Sequence, residues 1–230
     1  MEPLPGTRAR RLLSPFLFVI PLLFLLAFFF IPLANILRVS LTAEAFVRFI
    51  SRPYYLQVLW FTIWQAALST LLTLLIGLPG AYLFARYEFR GKALLRSLTT
   101  VPFVMPTVVV ATAFRALLGA NGPLNRTLMA LTGADQAVIR VEQTLTIILL
   151  AHVFYNVTIV IRLVGGFWAS LGPGVVEAAR TMGAPPLRAF WEVTLPLLRP
   201  ALIAASLLIY LFTFTSFGII LLLGGPAYST

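Results

Sequence analysis

Residues 177–196 read EAARTMGAPPLRAFWEVTLP. The stretch carries Glu177, Arg180, Arg188 and Glu192 between two strongly apolar segments, and it does not itself read as a membrane span. Pro173 suits the first position of a short helix, which would run Gly174–Met182. Gly183 ends that helix, because glycine takes the left-handed conformation without strain. Pro185 and Pro186 forbid simple continuation but suit the start of a second helix, Leu187 to about Thr194. Pro196 and Pro200 then mark the return to apolar sequence. The expected shape is a helix–turn–helix lying across a membrane surface. Phe190, Trp191 and Leu195 are its apolar anchors, and the small Ala178 and Ala179 let another surface come close. This mixed, ordered character suits a docking element.

The sequence on either side explains why such an element would be at a membrane. Of 230 residues, 60% are hydrophobic and 10% are charged, against about 25% charged in a soluble domain. Mean hydropathy is +0.97. The apolar residues gather into runs of roughly 20 or more, the length that crosses a bilayer. In lipid such runs must be helices. The fold class is therefore an all-α polytopic membrane protein. There is no cysteine and one histidine, which excludes thiol catalysis, thiolate metal sites and a multi-histidine metal centre within one chain. No catalytic or metal-binding set is expected, and no cofactor. The net charge of +10 points to nucleic acid only where basic residues cluster on a solvated domain. Here they sit in short loops between apolar runs, so no nucleic acid partner is expected.

Five spans are predicted: Ser14–Leu37, Tyr55–Phe84, Leu98–Leu118, about Thr144–Leu163 and Ala201–Leu223. The first is too long for a signal-peptide core, and no cleavage site precedes Arg38. Residues 38–54 read as a polar outside segment. Trp60 and Trp64 suit an interfacial aromatic belt. Pro102 and Pro106 should kink or loosen the third span. With Arg38, Arg48, Arg52, Arg115, Arg126 and Arg140 on one side, the other eleven of the 17 lysines and arginines share the side of the N-terminus. That bias puts the N-terminus and residues 177–196 in the cytoplasm. The chain then divides at 54/55, into a basic N-terminus with its first span and outside loop, and a second part, 55–230, containing a cytoplasmic loop at 165–199. Ending just after a span, the sequence reads as truncated or as one piece of a longer polypeptide.

All seven acids fall outside the apolar cores. Ion-coupled carriers usually place a carboxylate in the membrane, which counts against a secondary transporter. His152 and Asn156 are four apart and share a helix face, with Tyr155 alongside. They are candidates either for interhelical hydrogen bonding or for lining a transport path. Gln65 and Asn35 take the first reading. Arg115 and Arg162, near span ends, are expected to snorkel. GxxxxGK[ST], HExxH and GxSxG are absent. The sequon Asn125-Arg126-Thr127 is weak, and Asn156-Val157-Thr158 lies inside a span. A membrane enzyme would need a convergent polar set that only His152, Tyr155 and Asn156 approach.

The stretch from Glu177 resembles the cytoplasmic EAA loop of permease subunits of bacterial ABC importers. The family pattern is E-A-A, three residues, G, nine residues, I-x-L-P. Here it is Glu177-Ala178-Ala179, Gly183, then Val193, Thr194, Leu195 and Pro196, with valine in place of isoleucine. WQAALSTLLTLLIGLPGAYLFAR (64–86), AHVFYN (151–156) and FTSFGIILLLGGP (214–226) extend the likeness, most closely to ferric iron and thiamine permeases. The resemblance implies a type I (MetI-like) transmembrane domain over 55–230 with its sixth span missing, and Ser14–Leu37 as an added helix. It implies a non-enzymatic transport subunit in the bacterial inner membrane, working with separate ABC ATPase subunits. It also implies a periplasmic or lipid-anchored solute-binding protein and a second permease half. Glu177, Ala178, Ala179, Gly183, Val193, Leu195 and Pro196 would form the coupling element toward the ATPase. An importer of polyamine or another small solute and a secondary carrier are the competing readings. A mere membrane anchor would leave the spacing unexplained.

Overall fold

The computed structural model describes residues 18–172, 174–225 and 228; the N-terminal arginines Arg8, Arg10 and Arg11, and Pro173, lie outside the described residues. All regular structure described is helical, and five helical stretches are long and apolar enough to cross a membrane. The chain forms two compact units, Met1–Leu59 and Trp60–Thr230.

In the first unit, α1 (Phe18–Ser40) is apolar and exposed along its described length, with one π-helical turn at Leu26–Phe30. It runs past the expected end at Leu37 and takes Arg38 into its last turn, where a cation favours the negative end of the helix dipole. The segment read as polar, 38–54, contains a helix, α2 (Ala43–Ser51). Thr42 caps it, its Oγ1 accepting from the Ala45 amide at 3.2 Å, and Glu44 sits in the first turn. Both features satisfy or complement the orphan amides of a helix start. α3 (Pro53–Arg86) then begins with a proline, which has no amide to leave unpaired.

The second unit is built around α8 (Leu145–Ser170). Of its most apolar stretch 61% is buried, against 33% for α3 and 22% for α10 (Pro186–Phe214). α8 continues seven residues beyond Leu163 through a π-helical turn at Val160–Val164. Its C-terminal half packs with α3 and α10: Ala81, Val160, Val164, Trp168, Leu198 and Ile209 form one buried cluster. Its N-terminal half packs with α6 (Thr107–Leu118) and α11 (Phe217–Gly224), through Ala111, Ile147, Ile148, Ala151, Ile220 and Leu223. α3 and α8 approach closely because the contact is made of small residues. A Cβ on Gly77 would lie 2.7 Å from the Val160 side chain, and one on Gly165 would lie 3.2 Å from the Ala81 carbonyl oxygen. Lipid gives no hydrophobic drive for helices to pair, so such close van der Waals contact is what holds them.

The third crossing differs most from its expected form. It is three pieces: α4 (Lys92–Leu98), α5 (Val101–Val104) and α6, separated at Thr99–Thr100 and Met105–Pro106. Pro106 has no amide to donate and its ring clashes with the preceding turn, so the helix stops and restarts. α7 (Pro123–Thr132) follows, a short helix ended by Gly133 at φ +69. The fifth crossing is also re-drawn. The predicted second loop helix is no separate element: α10 runs unbroken from Pro186 through Pro196 and Pro200 to Phe214. A π-helical turn at Phe190–Thr194 stands just before Pro196. Proline withholds the amide that would bond residue i−4, here Glu192, and a widened turn is a common way for a helix to absorb that. The expected span to Leu223 breaks instead at Thr215–Ser216, and α11 begins anew.

Candidate functional site

Two groups of polar side chains stand out in this largely apolar unit. The first is in the connection from α8 to α10. Because those helices are longer than expected, it shrinks from residues 165–199 to the segment between Ser170 and Pro186, including α9 (Gly174–Thr181). α9 ends in a Schellman arrangement: the Ala184 amide donates to the Ala179 carbonyl at 3.1 Å, and the Gly183 amide to Arg180 at 3.0 Å. Gly183 stands at φ +92. That conformation clashes in any residue with a Cβ, at about 1–2 kcal/mol.

The three residues of the motif do different things. Glu177 and Ala178 are exposed. Ala179 is 9% exposed, and Ala189 in the facing first turn of α10 is 1% exposed. Ala179 is thus not free to receive another surface, as its small size led us to expect. It lets α9 lie against the start of α10. Val193, Leu195 and Pro196 belong to the first half of α10 and are half-buried. Arg188 pairs with Glu192 one turn on, Nε to Oε1 at 2.9 Å. A line of rings runs beneath: Tyr87, Tyr82, Trp168, Phe190 and Trp191, with neighbouring centroids 5.2–6.2 Å apart. It ties the ends of α3, α8 and α10 together under α9.

The second group lies between the two apolar clusters. His152, Tyr155 and Asn156 line one cavity of about 180 Å³ with Thr107, Ser216 and three apolar side chains. His152 is fully buried; its Nδ1 meets the Ser69 hydroxyl at 3.1 Å and its Nε2 has no hydrogen-bond partner among the described residues. Asn156 Nδ2 donates to the His152 carbonyl at 2.9 Å. Gln65, one turn before Ser69 on α3, reaches the Thr213 carbonyl at 3.5 Å with Nε2, while its Oε1 is unpartnered. Ser69, Thr107 and Ser216 carry no signal in the sequence, since lone hydroxyls are common in spans.

Two of the three helix breaks, at Met105–Pro106 and Thr215–Ser216, border this cavity. Backbone that is not helical at membrane depth is tolerated where protein buries it or where it lines a polar cavity. Here α8 supplies the partners. Tyr155 Oη donates to the Met105 carbonyl at 3.2 Å, the Thr158 hydroxyl to the Thr99 carbonyl, and Arg162 to the Thr100 hydroxyl at 2.8 Å. Residues 155, 158 and 162 form one stripe at three- and four-residue spacing. Arg162 is thus tied to the third crossing, and Arg115, also near a span end, donates to the Leu222 carbonyl at 2.5 Å in the last turn of α11. Asn35 lies in the other unit, on α1, and its side chain is exposed.

The family described as binding-protein-dependent transport system inner membrane component matches residues 77–229. The sulfate transport system permease protein CysT of Salmonella typhimurium is 34% identical over 164 residues, covering 71% of this chain and 57% of that one. The spermidine/putrescine transport system permease protein PotB of Haemophilus influenzae is 30% identical over 212 residues, covering 91% and 73%. The chain thus spans little more than half the length of the sulfate permease. Among solved structures, a bacterial alginate ABC transporter in complex with an alginate pentasaccharide-bound periplasmic protein superposes with a TM-score of 0.75 over 99% of this chain and 82% of its own, at 18% identity. At that identity the likeness is one of fold.

Proposed function

This chain belongs to the binding-protein-dependent transport system inner membrane components, the permeases of ABC importers, and from that we propose that it forms part of the solute path of an ATP-driven importer and receives its energy through Glu177–Pro196. The observation that carries the proposal is α9 itself. It is a short capped helix that exposes Glu177 and Ala178 and buries Ala179 against the foot of the next span. Such a helix can take a push from outside and pass it to α10 and, through the ring line, to α3 and α8. A separate ABC ATPase would supply the push, with Glu177 as the polar contact. A periplasmic or lipid-anchored binding protein would deliver solute to the opposite face, and a second permease half, fused or separate, would complete the path. The charge bias favours a cytoplasmic side for α9 and the N-terminus.

Gly183→Pro and Glu177→Lys test this. In the permease–ATPase complex reconstituted in liposomes, both should insert normally and lose most solute-stimulated ATP hydrolysis. Unchanged coupled hydrolysis in both would remove the loop from the coupling role.

The cavity of His152, Tyr155 and Asn156 is proposed as part of the path. Broken helices, neutral hydrogen-bonding groups and an unmet ring nitrogen favour a site that a polar solute or water visits. His152→Ala and Asn156→Leu should lower uptake while the chain still assembles with its ATPase; uptake at the original rate would exclude them from the path.

The solute follows less directly. Ferric iron or thiamine rests on the likeness of the spans alone. The named relatives at 34% and 30% identity belong to systems for an anion and for polycations, so similarity at this level does not carry the charge of the solute. The absence of a carboxylate in the apolar cores leaves selection to the binding protein. Uptake of labelled iron, thiamine, sulfate and spermidine by a deletion strain distinguishes these.

A further inference from the structure

A larger cavity, about 710 Å³, lies between the last turns of α3 and the α9–α10 hairpin. Its α3 wall is Leu75, Leu78, Pro79 and Tyr82. Leu75, Pro79 and Tyr82 are exposed, so the cavity opens toward whatever surrounds the spans. From Leu75 to Arg86 is about 16 Å of helix, roughly the depth of one leaflet. The surface end of the cavity holds Arg86, Arg180 and Glu177. None of the three is in an ion pair among the described residues, where the pairs are Lys92–Glu88 and Arg188–Glu192. Trp168, 4% exposed, closes the floor of the cavity.

We propose that this cavity seats one anionic phospholipid, a phosphatidylglycerol. Its phosphodiester lies between Arg86 and Arg180, and an acyl chain follows the apolar wall of α3. The charge matches singly: two guanidiniums and one carboxylate leave one positive charge for one phosphodiester. Glu177 opposes binding of the anion and so sets its strength. This reading stands on the shape and charge of the cavity in a membrane protein, and it does not depend on a coupling role for α9.

The test is lipid retention. The chain is reconstituted in nanodiscs of equal phosphatidylethanolamine and phosphatidylglycerol, extracted in mild detergent, and its bound lipid is counted by native mass spectrometry. Phosphatidylglycerol should be enriched over the bulk ratio. Arg86→Gln and Arg180→Gln should each reduce that enrichment about fivefold, and Glu177→Gln should increase it. Opposite responses to Arg86→Gln and Glu177→Gln cannot come from misfolding. Retention at the bulk ratio, preference for phosphatidylethanolamine, or equal shifts in both variants would overturn the proposal.

Discussion

Asn125 shows how much a single side chain can hold. It is fully buried in the segment after α6. Its Nδ2 donates to the carbonyls of Gly119 at 2.9 Å and Ile139 at 2.8 Å, and its Oδ1 accepts from the Ile139 amide at 2.7 Å. One amide group thus staples both arms of the loop between α6 and α8. The sequence shows it only as part of a sequon, because local spacing cannot reveal partners fourteen residues away. Asn125→Ala leaves those backbone groups unpaired and should lower stability by about 2 kcal/mol, read as a lower unfolding temperature in detergent. An unchanged temperature would mean that water replaces the side chain. Ala178 and Ala179 teach the same lesson. They are adjacent and identical in sequence, yet one faces out and the other packs inward, since a helix turns by about 100° per residue.

At the scale of elements, the apolar runs were legible and their interruptions were only partly so. Length and hydropathy locate each crossing, because lipid demands helices of a fixed minimum length. Where a helix stops is decided by who satisfies its freed backbone. Pro106 breaks a helix whose loose carbonyl at Met105 is met by Tyr155, whereas Pro196 and Pro200 sit within a continuous α10. Nothing in the prolines themselves distinguishes the two outcomes. The α3–α8 crossing was also silent, although Gly77 and Ala81 have the small-residue spacing that lets helices meet. Gly77→Val inserts a side chain where Val160 already lies 2.7 Å from the Cβ position. Overpacking of this kind costs about 1–3 kcal/mol. The variant should therefore unfold at a lower temperature, while valine at Gly166, where a Cβ meets nothing within 4 Å, should not. Equal effects at both glycines would contradict the close crossing.

In the whole second unit, α8 connects the two candidate sites. One end anchors the cluster beneath α9, the middle lines the polar cavity, and a stripe of its side chains holds the segmented third crossing. A displacement of α9 would reach the cavity through a single helix. The spacing in Glu177–Pro196 was the most specific signal in the sequence, because the proposed docking surface lies within one local stretch. The cavity was half legible: His152, Tyr155 and Asn156 share a helix, but their partners come from three other elements. The chain has no cysteine, which permits a direct test of where the ATPase sits. Ala178→Cys and, as a control on α7, Leu131→Cys at a residue 78% exposed, are each labelled with a benzophenone maleimide in the permease–ATPase complex and irradiated. Position 178 should cross-link to the ATPase in a manner altered by ATP, and position 131 should not. A cross-link from position 131 with none from position 178 would contradict a coupling role for α9.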